Sequence, residues 1–213
     1  MRSLKLGFAL EGNSDYPVIP CLTRRLIAER FPQIALDEDS IRRPRKRGHG
    51  FISELPTFAR QLCDDGVDIL VAVVDTDDTL LSERRDLLKA AKERCREWQI
   101  AICIAEGLAV RALEAWLLAD EAAIFGVFDG DKKKVIHFPA PEKEPDPKSA
   151  LNRIVRTLTK GREVTFASFS QELAEAVRLS LLCQRCPQFN EFAKHLLDCI
   201  KEWQRIVVRS SEK

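Results

Sequence analysis

The sequence lacks any long hydrophobic run and any excess of charge of one sign. No stretch approaches the roughly 20 apolar residues of a membrane span, and the apolar run at residues 6–10 is too short for a signal peptide. Lysine and arginine total 34 and aspartate and glutamate total 33, which excludes a histone-like polycation or an acidic tail protein. We expect a soluble, cytoplasmic protein that does not enter a membrane.

Two kinds of motif are also missing. No GxxxxGK[ST] phosphate loop is present, so any nucleotide hydrolysis would have to come from a partner ATPase. The CxxC formed by Cys183 and Cys186 has no second cysteine or histidine pair to complete a zinc site. Apart from this CxxC, the seven cysteines show no paired spacing, and their number is odd, which indicates reduced thiols in a cytosol.

The remaining composition supports a folded α/β protein. At 45% hydrophobic residues the chain can bury a core, and 213 residues suit one domain that carries an appendage. Apolar runs predict buried strands at residues 4–10, 69–74 and 100–105, and helical spacing predicts helices between them and over residues 109–125. This alternation predicts a mostly parallel sheet with helices on both faces.

The predicted α/β domain covers residues 1–125. Glycine, lysine and proline residues predict an irregular connection over residues 126–147. Residues 148–213 contain no strand pattern, and we expect a helical C-terminal extension that packs on the same domain.

Acidic residues follow the predicted strands. Glu11 follows the first strand, Asp75, Asp77 and Asp78 follow the run at 69–74, and Glu106 follows the third run. Ligands of open parallel sheets bind outside the carboxyl ends of the strands, and clustered carboxylates are ligands that suit Mg²⁺ or Mn²⁺. If strand geometry persists, side chains two residues apart point the same way. The competing interpretation is that an acid here only caps the next helix.

These residues also carry a family resemblance. A first strand that ends in Glu11-Gly12 and a later hydrophobic strand that ends in Asp75-x-Asp77 resemble the TOPRIM domain of topoisomerases, primases and overcoming-lysogenization-defect nucleases. The resemblance implies that Glu11 is the general acid or base and that the aspartate pair holds a divalent metal, with Asp78 as an extra acid. Since the chain has one tyrosine and no zinc-ribbon pattern, topoisomerase and primase activities are not indicated.

A second resemblance covers most of the chain. Residues 113–120, which contain EAWLLAD, resemble the signature of an uncharacterised bacterial TOPRIM-like family, a domain of unknown function often found in phage-defence neighbourhoods. Residues 146–148 and 186–189 are similar to its C-terminal half. Glu114 lies among apolar residues and needs a partner or a metal, and the alternative is an ordinary helix pair with Arg111. Asp120 is expected to end the helix or to cap the next one.

Basic residues precede a Gly-His-Gly segment that lets the backbone approach a ligand closely. This composition predicts contacts to the phosphates of DNA or RNA, whereas the alternative is a solvated edge strand guarded by charges. A lysine at a predicted helix start can also contact phosphate. The candidate nucleic-acid-binding residues are Arg42, Arg43, Arg45, Lys46, Arg47, His49 and Lys148.

The sequence therefore predicts a metal-dependent phosphodiesterase or nuclease that uses Mg²⁺ or Mn²⁺ held by Glu11, Asp75 and Asp77. The alternative is a non-catalytic TOPRIM-like sensor or effector subunit that works with a partner ATPase. A flavodoxin-like or receiver-like module is less favoured because no glycine-rich phosphate loop follows the first strand.

Overall fold

A four-stranded, all-parallel sheet forms the centre of the molecule. The structure, a computed structural model, describes residues 2–44, 46–77, 79–128, 137–161 and 164–211. The strands lie in the order β2-β1-β3-β4 and comprise β1 (Leu6–Leu10), β2 (Ser40–Arg42), β3 (Ile69–Asp75) and β4 (Cys103–Ala109). The predicted α/β class with a parallel sheet is confirmed.

Helices surround this sheet, and beyond β4 the described residues form helices and connections without a further strand. No described helix is both long and apolar enough to cross a bilayer. The α-helices are α1 (Ile19–Arg30), α2 (His49–Asp64), α3 (Leu81–Glu97), α4 (Glu114–Leu117), α5 (Glu121–Val127), α6 (Pro147–Leu158), α7 (Phe166–Ala176), α8 (Leu179–Arg185) and α9 (Pro187–Ser211).

The two faces of the sheet carry separate apolar layers because alternate side chains of a strand point to opposite faces. Phe8 of β1 and Val71 of β3 contribute to a core with α1 and the C-terminal helices. Ala72 and Val74 of β3 contribute to a second core with α2 and α3. Both central strands are buried on both faces, which explains their continuous apolar runs.

The C-terminal helices share the main core of the α/β part. The Trp116 ring lies 5.1 Å from the Phe189 ring and 6.0 Å from the Phe192 ring, measured between centroids. Phe192 also lies against Gly107 of β4, where a Cβ atom would come within 3.1 Å of its ring. The residues that resemble the family signature thus pack the region around α4 against α9.

Two predicted elements differ in the structure. The third strand begins at Cys103 instead of residue 100, so Glu106 lies inside β4, where its carboxylate binds Lys92 Nζ at 2.6 Å. The predicted helix over residues 109–125 is two short helices, because Asp120 accepts a hydrogen bond from Ala123 N and starts α5. The expectation that Asp120 caps a helix is confirmed.

One cysteine pair contradicts the expectation of reduced thiols throughout. Cys103 of β4 and Cys199 of α9 form a disulfide, with their Cα atoms 5.6 Å apart. The two positions are separated by 96 residues, and only the packing of α9 on β4 brings them together. Sequence spacing therefore carried no signal for this pair.

Gly107→Ala tests how tightly α9 packs on the sheet. We expect urea unfolding to show a loss of roughly 1–3 kcal/mol, because the added methyl group overpacks the contact with Phe192. Gly126→Ala is the matched control, since nothing lies within 4 Å of its added Cβ atom, and it should be neutral or stabilising by up to about 1 kcal/mol. Equal effects of the two variants would contradict the close packing of α9 on β4.

Candidate active site at the carboxyl edge of the sheet

The candidate site lies where the chain connections diverge. From β1 the chain passes through α1 to β2, whereas from β2 it passes through α2, on the other face, to β3 on the far side of β1. The carboxyl ends of β1 and β3 therefore border the crevice in which parallel sheets bind ligands. Glu11 directly follows β1, and Asp75 ends β3.

Glu11 faces α2 and α3. Its Oε1 accepts a hydrogen bond from Gly48 N at 2.7 Å, and its Oε2 is buried with no hydrogen-bond partner in the described part of the chain. Burial raises the pKa of Glu11, the bond from Gly48 acts in the opposite direction, and the charge of Asp77 raises it further. A buried oxygen in this state requires a proton or a cation.

Asp75 faces the other side of the sheet. Its Oδ1 accepts a hydrogen bond from Leu113 N at 3.1 Å, and its Oδ2 lies 3.8 Å from Lys148 Nζ. Burial raises the pKa of Asp75 to about 8, and the neighbouring charge of Asp15 adds to this effect while Lys148 opposes it. The sequence placed Lys148 at a helix start, and the structure brings it to the acidic edge on α6.

Glu114 belongs to the same half of the site. Its carboxylate is buried at the start of α4. Burial raises the pKa of Glu114, and the charges of Lys148, Asp15 and Asp146 act on it as well. The structure therefore places Glu114 near Lys148 at the acidic edge.

Asp15 is a site residue that sequence reasoning missed. It lies on a short 3-10 helix, Asn13–Asp15, and accepts a hydrogen bond from Gly12 N at 2.8 Å. It is 7% exposed, and burial raises the pKa of Asp15. Its charge acts on both Glu11 and Asp75. An aspartate that precedes a helix has the sequence pattern of a cap, so only the fold reveals its position between the other acids.

Asp77 is not held in strand geometry. β3 ends at Asp75, and Asp77 adopts a left-handed conformation with φ 48°. The intervening Thr76 fixes this turn, because its N donates to Ala109 O and its Oγ1 accepts from Arg111 N. Alternation therefore does not orient Asp77, although its charge acts on both Glu11 and Asp75. Asp78 lies outside the described residues.

The donor set suits a divalent cation in its chemistry. In the described part of the chain, no three His, Cys, Asp or Glu side chains form a ready-made metal sphere. This agrees with Glu11 and Asp75 hydrogen-bonding to elements on opposite faces. Mg²⁺ often takes one or two carboxylates and keeps several waters, so Glu11 Oε2 together with Asp77 or Asp15 fits such an ion.

The predicted basic segment lies at the same edge because β2 pairs in parallel with β1. Arg43 Nη1 donates to Asn13 Oδ1 at 3.4 Å, and its guanidinium lies 5.2 Å from the centre of the Tyr16 ring. The charge of Arg47 acts on Asp15. The structure thus places Arg43 and Arg47 towards the acidic edge.

Other members of the basic segment are engaged elsewhere. Arg42 pairs with Asp65, and Lys46 Nζ lies 3.3 Å from a Glu54 carboxylate oxygen. His49 begins α2 and lines a recess of about 80 Å³ between α2 and α3. Arg45 lies outside the described residues.

Comparison with known proteins gives one match. The model of the family described as "Domain of unknown function (DUF4276)" matches residues 10–197. No curated protein and no solved structure matches the chain.

The raised pKa of Asp75 predicts a pH-dependent stability without metal. A carboxyl group whose folded pKa is about 8 stabilises the fold below its ordinary pKa of 3.8, and this contribution is lost as the pH rises through 8. Asp75→Asn keeps an oxygen that can accept from Leu113 N. At pH 8 we expect it to be more stable by about 1 kcal/mol or more, or roughly 2–4 °C in thermal midpoint.

Asp120→Asn is the matched control. Burial alone would raise the pKa of Asp120, but hydrogen bonds from Arg178 hold it below its usual range. This variant should therefore lose stability at neutral pH. A fall in thermal midpoint for Asp75→Asn as large as that for Asp120→Asn would show that Asp75 is a structural partner of Leu113 and Lys148.

Proposed function

We infer the function of this chain from its site, because the chain belongs to the DUF4276 family, whose description states no function. We propose that it is a metal-dependent phosphodiesterase that cleaves nucleic acid. The observation that carries the proposal is a carboxyl edge where Glu11, Asp15, Asp75, Asp77 and Glu114 act on one another electrostatically. The resemblance to the TOPRIM superfamily supports the same proposal, and the resemblance to a TOPRIM-like family often found in phage-defence neighbourhoods extends it to a role in phage defence.

The residues of this edge have separate roles in the proposed hydrolysis. Mg²⁺ or Mn²⁺ supplies the site with a Lewis acid that neutralises charge on a phosphodiester. Glu11 together with Asp77 or Asp15 would hold the ion, whereas Asp75, which hydrogen-bonds on the opposite face of the sheet, interacts with Asp77 and Asp15 through its charge. In the general-base role that the TOPRIM resemblance implies, Glu11 would instead take a proton from the attacking water through Oε2, and Asp77 and Asp15 would then hold the ion. The leaving oxygen takes its proton from solvent.

Cations around the edge bind the substrate backbone. Lys148 has 54% of its side chain exposed, so it can contact phosphate while it remains near Asp75. Arg43 and Arg47 approach the edge from β2 and contact further phosphates. Contacts of this kind carry no base information, so the proposal includes no sequence preference.

A second candidate is a sensor or effector subunit that needs a partner ATPase. One observation favours it: Glu11 and Asp75 hydrogen-bond to elements on opposite faces of the sheet, so the edge is divided into two halves. A partner that reorganises the two halves of the edge would complete such a site. Cleavage by a mixture of this chain and the partner ATPase, but not by the isolated chain, would support this candidate.

Removal of site carboxylates tests the proposed chemistry. Glu11→Gln and Asp77→Asn should each lower Mg²⁺- or Mn²⁺-dependent cleavage of labelled DNA and RNA by about 100-fold or more, since each removes a charge that holds the metal or takes a proton. Asp198→Asn is the control, because Asp198 is exposed and pairs with Lys201. Unchanged cleavage in both site variants would contradict the proposed site.

The basic residues give a separate test of nucleic-acid binding. Arg43→Ala with Arg47→Ala should weaken binding in the presence of a chelator and lower the salt slope by roughly 0.9 per lost contact to duplex DNA. Arg42→Ala with Lys46→Ala is matched in charge and should change the slope less, because both residues are paired with acids. Equal salt slopes for the two double variants would contradict the proposed contacts of Arg43 and Arg47 with the nucleic-acid backbone.

A further inference from the structure

Arg84 is a buried arginine without a hydrogen-bond or ion-pair partner for its side chain among the residues that the structure describes. The residue is 6% exposed, and its Nε atom is buried without a hydrogen bond. Its terminal nitrogens make neither a hydrogen bond nor an ion pair within the described chain, and they retain contact with solvent. The buried Nε has lost water without gaining an acceptor, which is costly, so an anion beside this guanidinium would stabilise it.

The N-terminus of α2 is also unsatisfied. Its N-cap residue is Gly48, which has no side chain to accept hydrogen bonds from the first turn. The backbone N–H groups of His49 and Gly50 have no hydrogen-bond partner in the described chain. The 16-residue helix therefore presents free donors and the positive end of its dipole.

These two features meet at Gly48. This glycine has φ 54°, and a Cβ atom added to it would lie 3.0 Å from Arg84 Nη2 and 3.2 Å from Arg84 Nη1. The guanidinium thus lies beside the residue whose side chain would ordinarily cap the helix. A cation is unfavourable at a helix N-terminus, and neither group can accept a hydrogen bond from the other. The guanidinium and the helix N-terminus therefore both lack an anion that would accept their hydrogen bonds.

Glu11 does not supply this anion in full. Its Oε1 is already bonded to Gly48 N. Its charge acts on Arg84, but no ion pair within 4.0 Å joins the two side chains. A group with several acceptor oxygens could bond to the guanidinium and to the first turn of α2 together.

We propose that Arg84 and the first turn of α2 form a binding site for a phosphate group. The planar guanidinium presents paired donors that match two phosphate oxygens, and free N–H groups at a helix start bind phosphate in the same way. The proposal deepens the proposed function and rests on it only in identifying the phosphate as part of a nucleic acid. In that role Arg84 positions the substrate phosphate next to Glu11.

The first test measures binding of inorganic phosphate to the full chain in the presence of a chelator. The parent should bind phosphate at constant ionic strength, and Arg84→Gln should weaken that binding by about tenfold or more. Arg85→Gln is the matched control, because the neighbouring Arg85 bonds to Gln188 and Glu191. Equal affinity of the parent and Arg84→Gln, or no binding by the parent, would overturn the proposal.

A second measurement keeps the test independent of how Arg84→Gln folds. Phosphate should shift the amide NMR signals of His49 and Gly50 in the parent. Arg84→Lys keeps the charge but loses the planar fork, so it should show smaller shifts and an intermediate affinity. Shifts confined to other residues would overturn the site.

Oligonucleotides distinguish the two sources of phosphate. If Arg84→Gln weakens the binding of a 5′-phosphorylated strand but not that of a 5′-hydroxyl strand, the site binds a terminal phosphomonoester. If Arg84→Gln weakens the binding of both strands, the site binds an internal phosphodiester. Loss of phosphate binding in Arg84→Gln without any cleavage by the parent would support the phosphate site and contradict the nuclease. Cleavage by the parent, with phosphate binding unchanged in Arg84→Gln, would support the nuclease and contradict the phosphate site.

Discussion

Parallel pairing of β1 with β3, from Leu6 opposite Ile69 to Leu10 opposite Val73, holds two acid-bearing strand ends side by side. Because both strands are buried on both faces, neither can shift by one residue without turning its apolar side chains to the wrong layer. The apolar register therefore sets the positions of Glu11 and Asp75. The cost is electrostatic, since the fold forces several carboxylates into one partly buried edge.

The C-terminal helices are part of this arrangement. Lys148 of α6 reaches Asp75, and the rings of Trp116, Phe189 and Phe192 connect the region after β4 to α9. Leu113, which donates its N–H to Asp75, lies three residues before Trp116 of this aromatic cluster. Removing the helical part would therefore remove both a cation and the support of a backbone donor from the acidic edge.

The sequence predicted the central strands and the acids that follow them, because a doubly buried strand leaves an unbroken apolar run. It could not predict Asp15 or Arg84, since the first has the pattern of a helix cap and the second that of an ordinary residue in a charged helix. The apolar run ended the predicted third strand too early, because Glu106 and Gly107 interrupt it inside β4 and glycine has little strand propensity. Short motifs report local geometry, whereas these features depend on contacts between distant segments.

The shape of the sheet margins also limits how this chain can meet other molecules. β2 is only three residues long and is followed by Arg43 and Pro44, so it offers few backbone groups to an incoming strand. On the opposite margin, Glu106 of β4 is bonded to Lys92, and its carbonyl oxygen lies 3.1 Å from His195 Nδ1. Both margins therefore resist extension of the sheet by a second polypeptide.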